Sequence, residues 1–210
     1  MKKRLFTIII SLSIISCQQT KKEKAFKIFN EGVTLSLNAG TEANRGNEKK
    51  AIELNDKAIE KFRETLRTDS THSIARSALA HSLYISKKYD EAIEWFKKAN
   101  AIGKAEAVNY MELGLSQINL GQTAEGEKNL FKALELDKSE EIREITVEDL
   151  YDIGKLAFKY GDAYKKEGKT EKALTYKQFS IDVLKLSLKI NPARADIRST
   201  VDSCAKQLMD

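Results

Sequence analysis

A spacing of 34 residues constrains this chain more than any other feature. Ala58, Ala92 and Gly126 lie 34 apart, and all three are small. Phe62, Phe96 and Leu130 follow four positions later, all large and apolar, and Thr65, Ala99 and Ala133 come three further on. Upstream, Leu79 matches Leu113 and Ala80 matches Gly114. A repeat of this length is the mark of a stacked array of supersecondary units, none of which can bury its apolar face alone. The composition assigns those units to helices. The chain has one proline, 32% charged residues, and apolar residues recurring at i, i+3 and i+4. No segment alternates strictly enough to read as a strand.

The pattern resembles the tetratricopeptide repeat, in which helix A carries a large apolar and a small residue side by side. Helix B then opens on a small residue, followed by an aromatic and another small one. The match is best over Ser73–Glu140, two repeats of standard length. Small side chains at Ala80, Gly114, Ala92 and Gly126 sit where helix A crosses helix B, and Phe96 and Leu130 fill the groove against the next hairpin. Lys87-Lys88-Tyr89-Asp90 and Gly121-Gln122-Thr123 are short turns, with Gly121 suited to a left-handed C-terminal cap. The resemblance implies an all-α fold, a right-handed superhelix of about four helical hairpins plus a C-terminal capping helix. The repeats would occupy about 25–72, 73–106, 107–140 and 141–192, with the cap at 193–210, all within one domain over 25–210.

The outer repeats depart from the standard length. In the first, helix A is expected over Ala25–Asn38, a polar loop over Ala39–Gly46, and a long helix B over about Glu48–Arg67. In the last, Tyr160-Gly161 and Ala173 recover the pattern after 13 added residues, which extend helix A backward over about Glu141–Ile153. Thr146 followed by Asp149 suits an N-terminal cap there. Helix B of that repeat runs over about Thr170–Ile190 and stops at Asn191-Pro192. Ala193–Leu208 then form an amphipathic end helix, with Ile197, Val201, Ala205 and Leu208 on one face.

The N-terminus carries a different message. Residues 1–16 set three basic side chains before an apolar run of about a dozen residues, the layout of a secretory signal peptide and short of the roughly 20 that span a bilayer. Ile14-Ile15-Ser16-Cys17 resembles the bacterial lipobox, which implies cleavage before Cys17 and attachment of diacylglycerol and an acyl chain to it. Two or three chains hold a protein on a membrane firmly. Residues 17–24 then read as a tether. Lys21, Lys22 and Lys24 are read as solvated, with headgroup contact as the alternative. Gln18-Gln19-Thr20 lack the aspartate that resembles an inner-membrane retention signal. The expected location is the bacterial cell envelope, lipid-anchored at the outer membrane and facing the periplasm. From Cys17 onward 33 basic side chains face 31 acidic ones, so the overall basicity points to no nucleic-acid partner. With Cys17 lipidated, Cys204 has no intramolecular disulfide partner.

Chemistry-bearing constellations are missing from the sequence. His72 and His81 have no second ligand at i+4, neither HExxH nor CxxC occurs, and Cys204 has only Asp202 and Lys206 for titratable neighbours. No catalytic residue, metal ligand or cofactor beyond the lipid is therefore assigned. The resemblance instead implies a concave groove lined by helix A. In the second repeat it would use Ile74, Ser77, His81, Tyr84 and Ile85. The third would supply Val108, Met111, Leu115, Ile118 and Asn119, and the fourth Lys155, Phe158, Asp162 and Lys165. The family's carboxylate-gripping pattern, Lys and Asn at the fifth and ninth positions, is absent. The function implied is a non-enzymatic scaffold that presents this groove to protein partners in the envelope. Two alternatives stay open: a self-associating structural lipoprotein, and a non-catalytic subunit of an envelope enzyme complex. The oligomeric state is also open, and so is whether the helices at Glu48–Arg67 or Thr170–Ile190 cover the groove.

Overall fold

The computed structural model describes the backbone of residues 2–102 and 105–209 and the side chains of residues 20–102 and 105–208. Cys17 and the expected signal segment 1–16 therefore lie outside the described side chains. Among the described residues there are nine helices and no strand. They fall into two compact units, Met1–Gly103 and Lys104–Asp210.

The first unit holds α1 (Lys2–Asn44), α2 (Glu48–Thr68), α3 (Ser73–Ile85) and α4 (Tyr89–Asn100). α1 pairs with α2 and α3 with α4 as hairpins, and α2 packs on α3. The repeating positions are its core. Ala58, Phe62, Thr65, Leu79, Ala80, Ala92 and Phe96 are all buried. Close helix approach explains the small residues: a Cβ on Gly32 would fall 2.7 Å from the Phe62 ring. The α3–α4 turn is tied to α2 by Asn55, whose buried amide donates to the Ser82 carbonyl and to Ser86 Oγ, both at 2.8 Å.

The expected loop at Ala39–Gly46 is helix as far as Asn44. Ala39 and Glu42 face inward and are buried, so this polar stretch still has an inner face to pack. Glu42 accepts from Asn47 Nδ2 at 2.7 Å and pairs with Arg45 and Lys50, which closes the helix end, and Gly46 makes the turn at φ +78°. Residues 20–24, within the expected tether, are helical and continuous with α1.

The second unit holds α5 (Ala107–Asn119), α6 (Thr123–Leu136), α7 (Glu140–Lys166), α8 (Thr170–Ile190) and α9 (Ala195–Met209). α5 pairs with α6 and α7 with α8; α7 also touches α5 and α6, and α9 packs on α8. Gly114 and Gly126 bring the first pair together, since a Cβ on either would lie 2.8 Å from the other's carbonyl oxygen. The second pair is pinned by two buried serines: Ser180 Oγ donates to the Gly154 carbonyl at 2.7 Å, and Ser187 Oγ to that of Val147 at 3.2 Å. α7 begins at Glu140, in line with the backward extension expected over about Glu141–Ile153, and not at Thr146. Ser139 caps it by accepting from the Ile142 amide, while Thr146 lies inside the helix and donates to the Ile142 carbonyl. Thr146 is thus no cap. A threonine buried inside a helix satisfies its hydroxyl on the carbonyl four residues back. On α9 the buried stripe is Ile197, Val201 and Cys204, with Ala205 and Leu208 only half-buried.

Candidate functional site

The described first unit contains a cleft of about 610 Å³, built by three helices that reach the same end of their hairpins. One wall is the last two turns of α1, where Ser36, Ala39, Gly40 and Ala43 follow helical spacing and leave little side chain in the way. A Cβ on Gly40 would meet no atom within 4 Å, so that stretch of wall is open. The facing wall comes from the start of α2, through Ala51 and Ile52, and from the end of α3, through His81 and Ile85. Both isoleucines are exposed, and Glu48 and Lys87 stand among the lining residues. The floor includes Asn55, already committed to Ser82 and Ser86, so the cleft keeps its shape through a buried hydrogen-bonded joint. This is an apolar slot with a few polar margins, the chemistry that accepts a peptide segment. No group of three or more His, Cys, Asp or Glu gathers among the described residues as a metal ion would need.

The structure distributes the expected groove residues unevenly. His81 lines the cleft, with Ile85 beside it. Ile74 sits at the far end of α3, 63% exposed, while Ser77 and Tyr84 are half-buried and the Tyr84 ring lies 6.0 Å from that of Tyr89. On α5, Val108 is exposed and Asn119 donates to the Leu115 carbonyl. Met111, Leu115 and Ile118 are buried, the last two completely. They are core rather than surface, because α5 packs against both α6 and α7 and the Ile118 side chain lies against Gly126 of α6. Phe158 and Asp162 are half-buried and meet a common partner. The buried Lys177 places its ammonium 2.8 Å from an Asp162 oxygen and 4.7 Å from the centre of the Phe158 ring. Cys204 is buried near this pair, and burial, reinforced by Asp162, pushes its thiol above the ordinary range.

The α1 wall is what the residues alone did not point to. Its signal was present in Ser36, Ala39, Gly40 and Ala43, small side chains at helical spacing, the last three within the stretch expected as loop.

Residues 75–102, most of the α3–α4 hairpin, match the family model described as Tetratricopeptide repeat. A curated relative carries the same name. The TPR repeat-containing protein MJ1428 of Methanocaldococcus jannaschii is 33% identical over 106 residues, which is 50% of this chain and 18% of the relative. The chain thus spans under a fifth of that protein's length. Among solved structures, MamA is similar at 18% identity and a TM-score of 0.41, over 81% of this chain and 92% of its own. A TPR repeats protein from Bacteroides fragilis is similar at 15% identity and a TM-score of 0.41, over 87% and 98%. Tetratricopeptide hairpins form interaction scaffolds for proteins, and the cleft lies where α3, helix A of the matched repeat, ends.

Proposed function

We propose that this chain is an exported, lipid-tethered scaffold whose first unit receives a short segment of a partner protein in the cleft between α1, α2 and α3. The observation that carries this reading is the cleft itself: exposed Ile52 and Ile85 over a wall of small residues, framed by polar side chains. A slot already held open by helix packing loses little freedom on binding, so apolar contact is not spent on ordering the receptor. Export and anchoring rest on the signal-like residues 1–16 and on Cys17, which would carry the diacylglycerol and acyl chain. The outer membrane, facing the periplasm, is the placement that the residues after Cys17 favour. A tether of this kind raises the concentration of the domain near envelope partners without new contacts.

Two measurements test the two halves separately. Intact mass of the membrane-extracted protein is expected to show an acylated N-terminal Cys17, and Cys17→Ser is expected to abolish it. A photocrosslinking residue at Ile52 in intact cells is expected to capture a discrete partner that the same residue at Glu127, in the second unit, does not. Gly40→Leu, which fills the slot where nothing now stands, is expected to abolish that capture. Equal capture with Gly40→Leu would remove the cleft from the function.

A further inference from the structure

We infer that the end of the first unit opposite the cleft is a docking surface for an anionic lipid bilayer, so that the unit stands on the membrane with the cleft held away from it. The inference rests on the anchoring read at Cys17 and adds an orientation to it. Hairpin topology brings the stretch of α1 around Lys22–Phe29, the end of α2, the start of α3 and the end of α4 to one place. The Phe29 ring, on α1, lies 4.7 Å from that of His72, which caps α3. The cleft uses the other ends of the same helices. Lys22 and Gly40 are separated by 18 helical residues, which at 1.5 Å each is about 27 Å.

Two kinds of side chain gather at the near end. Phe26, Ile74 and Ile102 are 59%, 63% and 58% exposed, on three different segments, and none is needed by the core. Around them basic side chains outnumber acidic ones, although Asp69 lies beside Lys22 and Glu94 pairs with Lys98 at 3.7 Å. Over residues 20–30 four lysines, Lys21, Lys22, Lys24 and Lys27, face one acid, Glu23. All four lysines are exposed, as are Arg67 at the end of α2 and Lys97 and Lys98 at the end of α4. Over residues 35–57, at the cleft end, basic and acidic side chains are balanced at four each. Isolated apolar side chains ringed by lysine are the composition of an interfacial binder, the former entering the acyl boundary and the latter meeting anionic headgroups. The occupant is chosen by where the chain goes. Residues 1–19 precede this end, and Cys17 stands three positions before Thr20, so a lipid carried there brings the bilayer to these side chains and not to the cleft.

The test uses the full chain in phosphatidylcholine vesicles with and without phosphatidylglycerol. The chain has a single tryptophan, so Trp95→Phe combined with Phe26→Trp or with Ile85→Trp reports on the near or the far end. With phosphatidylglycerol and bromine-labelled lipid, the indole at position 26 is expected to shift to the blue and be quenched several-fold, and that at position 85 to do neither. Reversing Lys21, Lys22, Lys24 and Lys27 to Glu, or raising the salt, is expected to remove the quenching while the protein still floats with the vesicles. Replacing the same four by Gln is expected to give an intermediate loss. Quenching that ignores lipid charge and the substitutions overturns the inference, as does quenching of both positions alike. A blue shift that follows protein concentration instead of lipid assigns this end to a second copy, and a shift produced only by an added acidic protein assigns it to such a partner; either overturns it. Flotation and intact mass report separately on the anchor, so failure of one reading is not mistaken for failure of the other.

Discussion

Glycine is the residue on which these hairpins turn, and two positions predict opposite outcomes. At Gly114 a methyl group would meet the Gly126 carbonyl at 2.8 Å and Leu130 at 2.9 Å, all of it core. Gly114→Ala is expected to destabilise by about 1–3 kcal/mol, the usual cost of overpacking. Gly40 lies in helix with open space around it, and Gly40→Ala is expected to stabilise by about 0.5–1 kcal/mol through helix propensity. Denaturant midpoints of the two variants check both signs. Phe96, completely buried, is expected to cost about 3–5 kcal/mol as Phe96→Ala. These positions were legible because packing at a crossing demands a given size at a given interval. Lys177 was not. A lysine on an amphipathic helix reads as solvated, and only the fold shows that Gly161 admits its stem while Asp162 takes its charge.

At the scale of elements, one side chain before α9 adds an ionic joint to the buried stripe that packs this helix on α8. Arg194, in the α8–α9 connection, bonds Glu148 of α7 at 2.6 Å and Asp196 of α9 at 2.7 Å, and lies 3.5 Å from Glu144. The guanidinium holds the Asp196 carboxyl down at about 2, against an ordinary 3.8. A depressed carboxyl stabilises the fold fully above its unfolded value and loses that contribution as pH falls towards the folded one. Protection of the α9 amides from hydrogen exchange is therefore expected to fall between about pH 4 and pH 2, and Arg194→Gln should flatten that dependence. The apolar stripe of α9 was visible as helical periodicity, whereas this ionic joint was not, because Glu148 and Arg194 are 46 residues apart. The misread stretch at Ala39–Gly46 has the same origin. Polar composition reports one face of a helix, and the burial of Ala39 and Glu42 on the other comes from contact with a partner element.

At the scale of the whole molecule, each of the two units has its own buried seam, with Phe62 and Phe96 in one and Leu130 and Leu150 in the other. Contacts in such arrays run between near neighbours, so damage is expected to stay local. Leu150→Ala should lower amide protection across α7–α9 far more than across α1–α2, and Phe62→Ala should do the reverse. Equal loss everywhere would mean a single cooperative block.

From the residues alone came the helices, the hairpin interval and the identity of the buried positions at 58, 62, 92, 96, 126 and 130. All of these depend on spacing within a hairpin, which one stretch of chain contains. Which helix faces stay open was decided by tertiary structure. Met111, Leu115 and Ile118 have the spacing of a groove and are core, while the small residues of α1 have the composition of a loop and form a cleft wall. A helix declares its apolar face in its own sequence, but what covers that face is supplied by elements elsewhere in the chain, at distances no local pattern records.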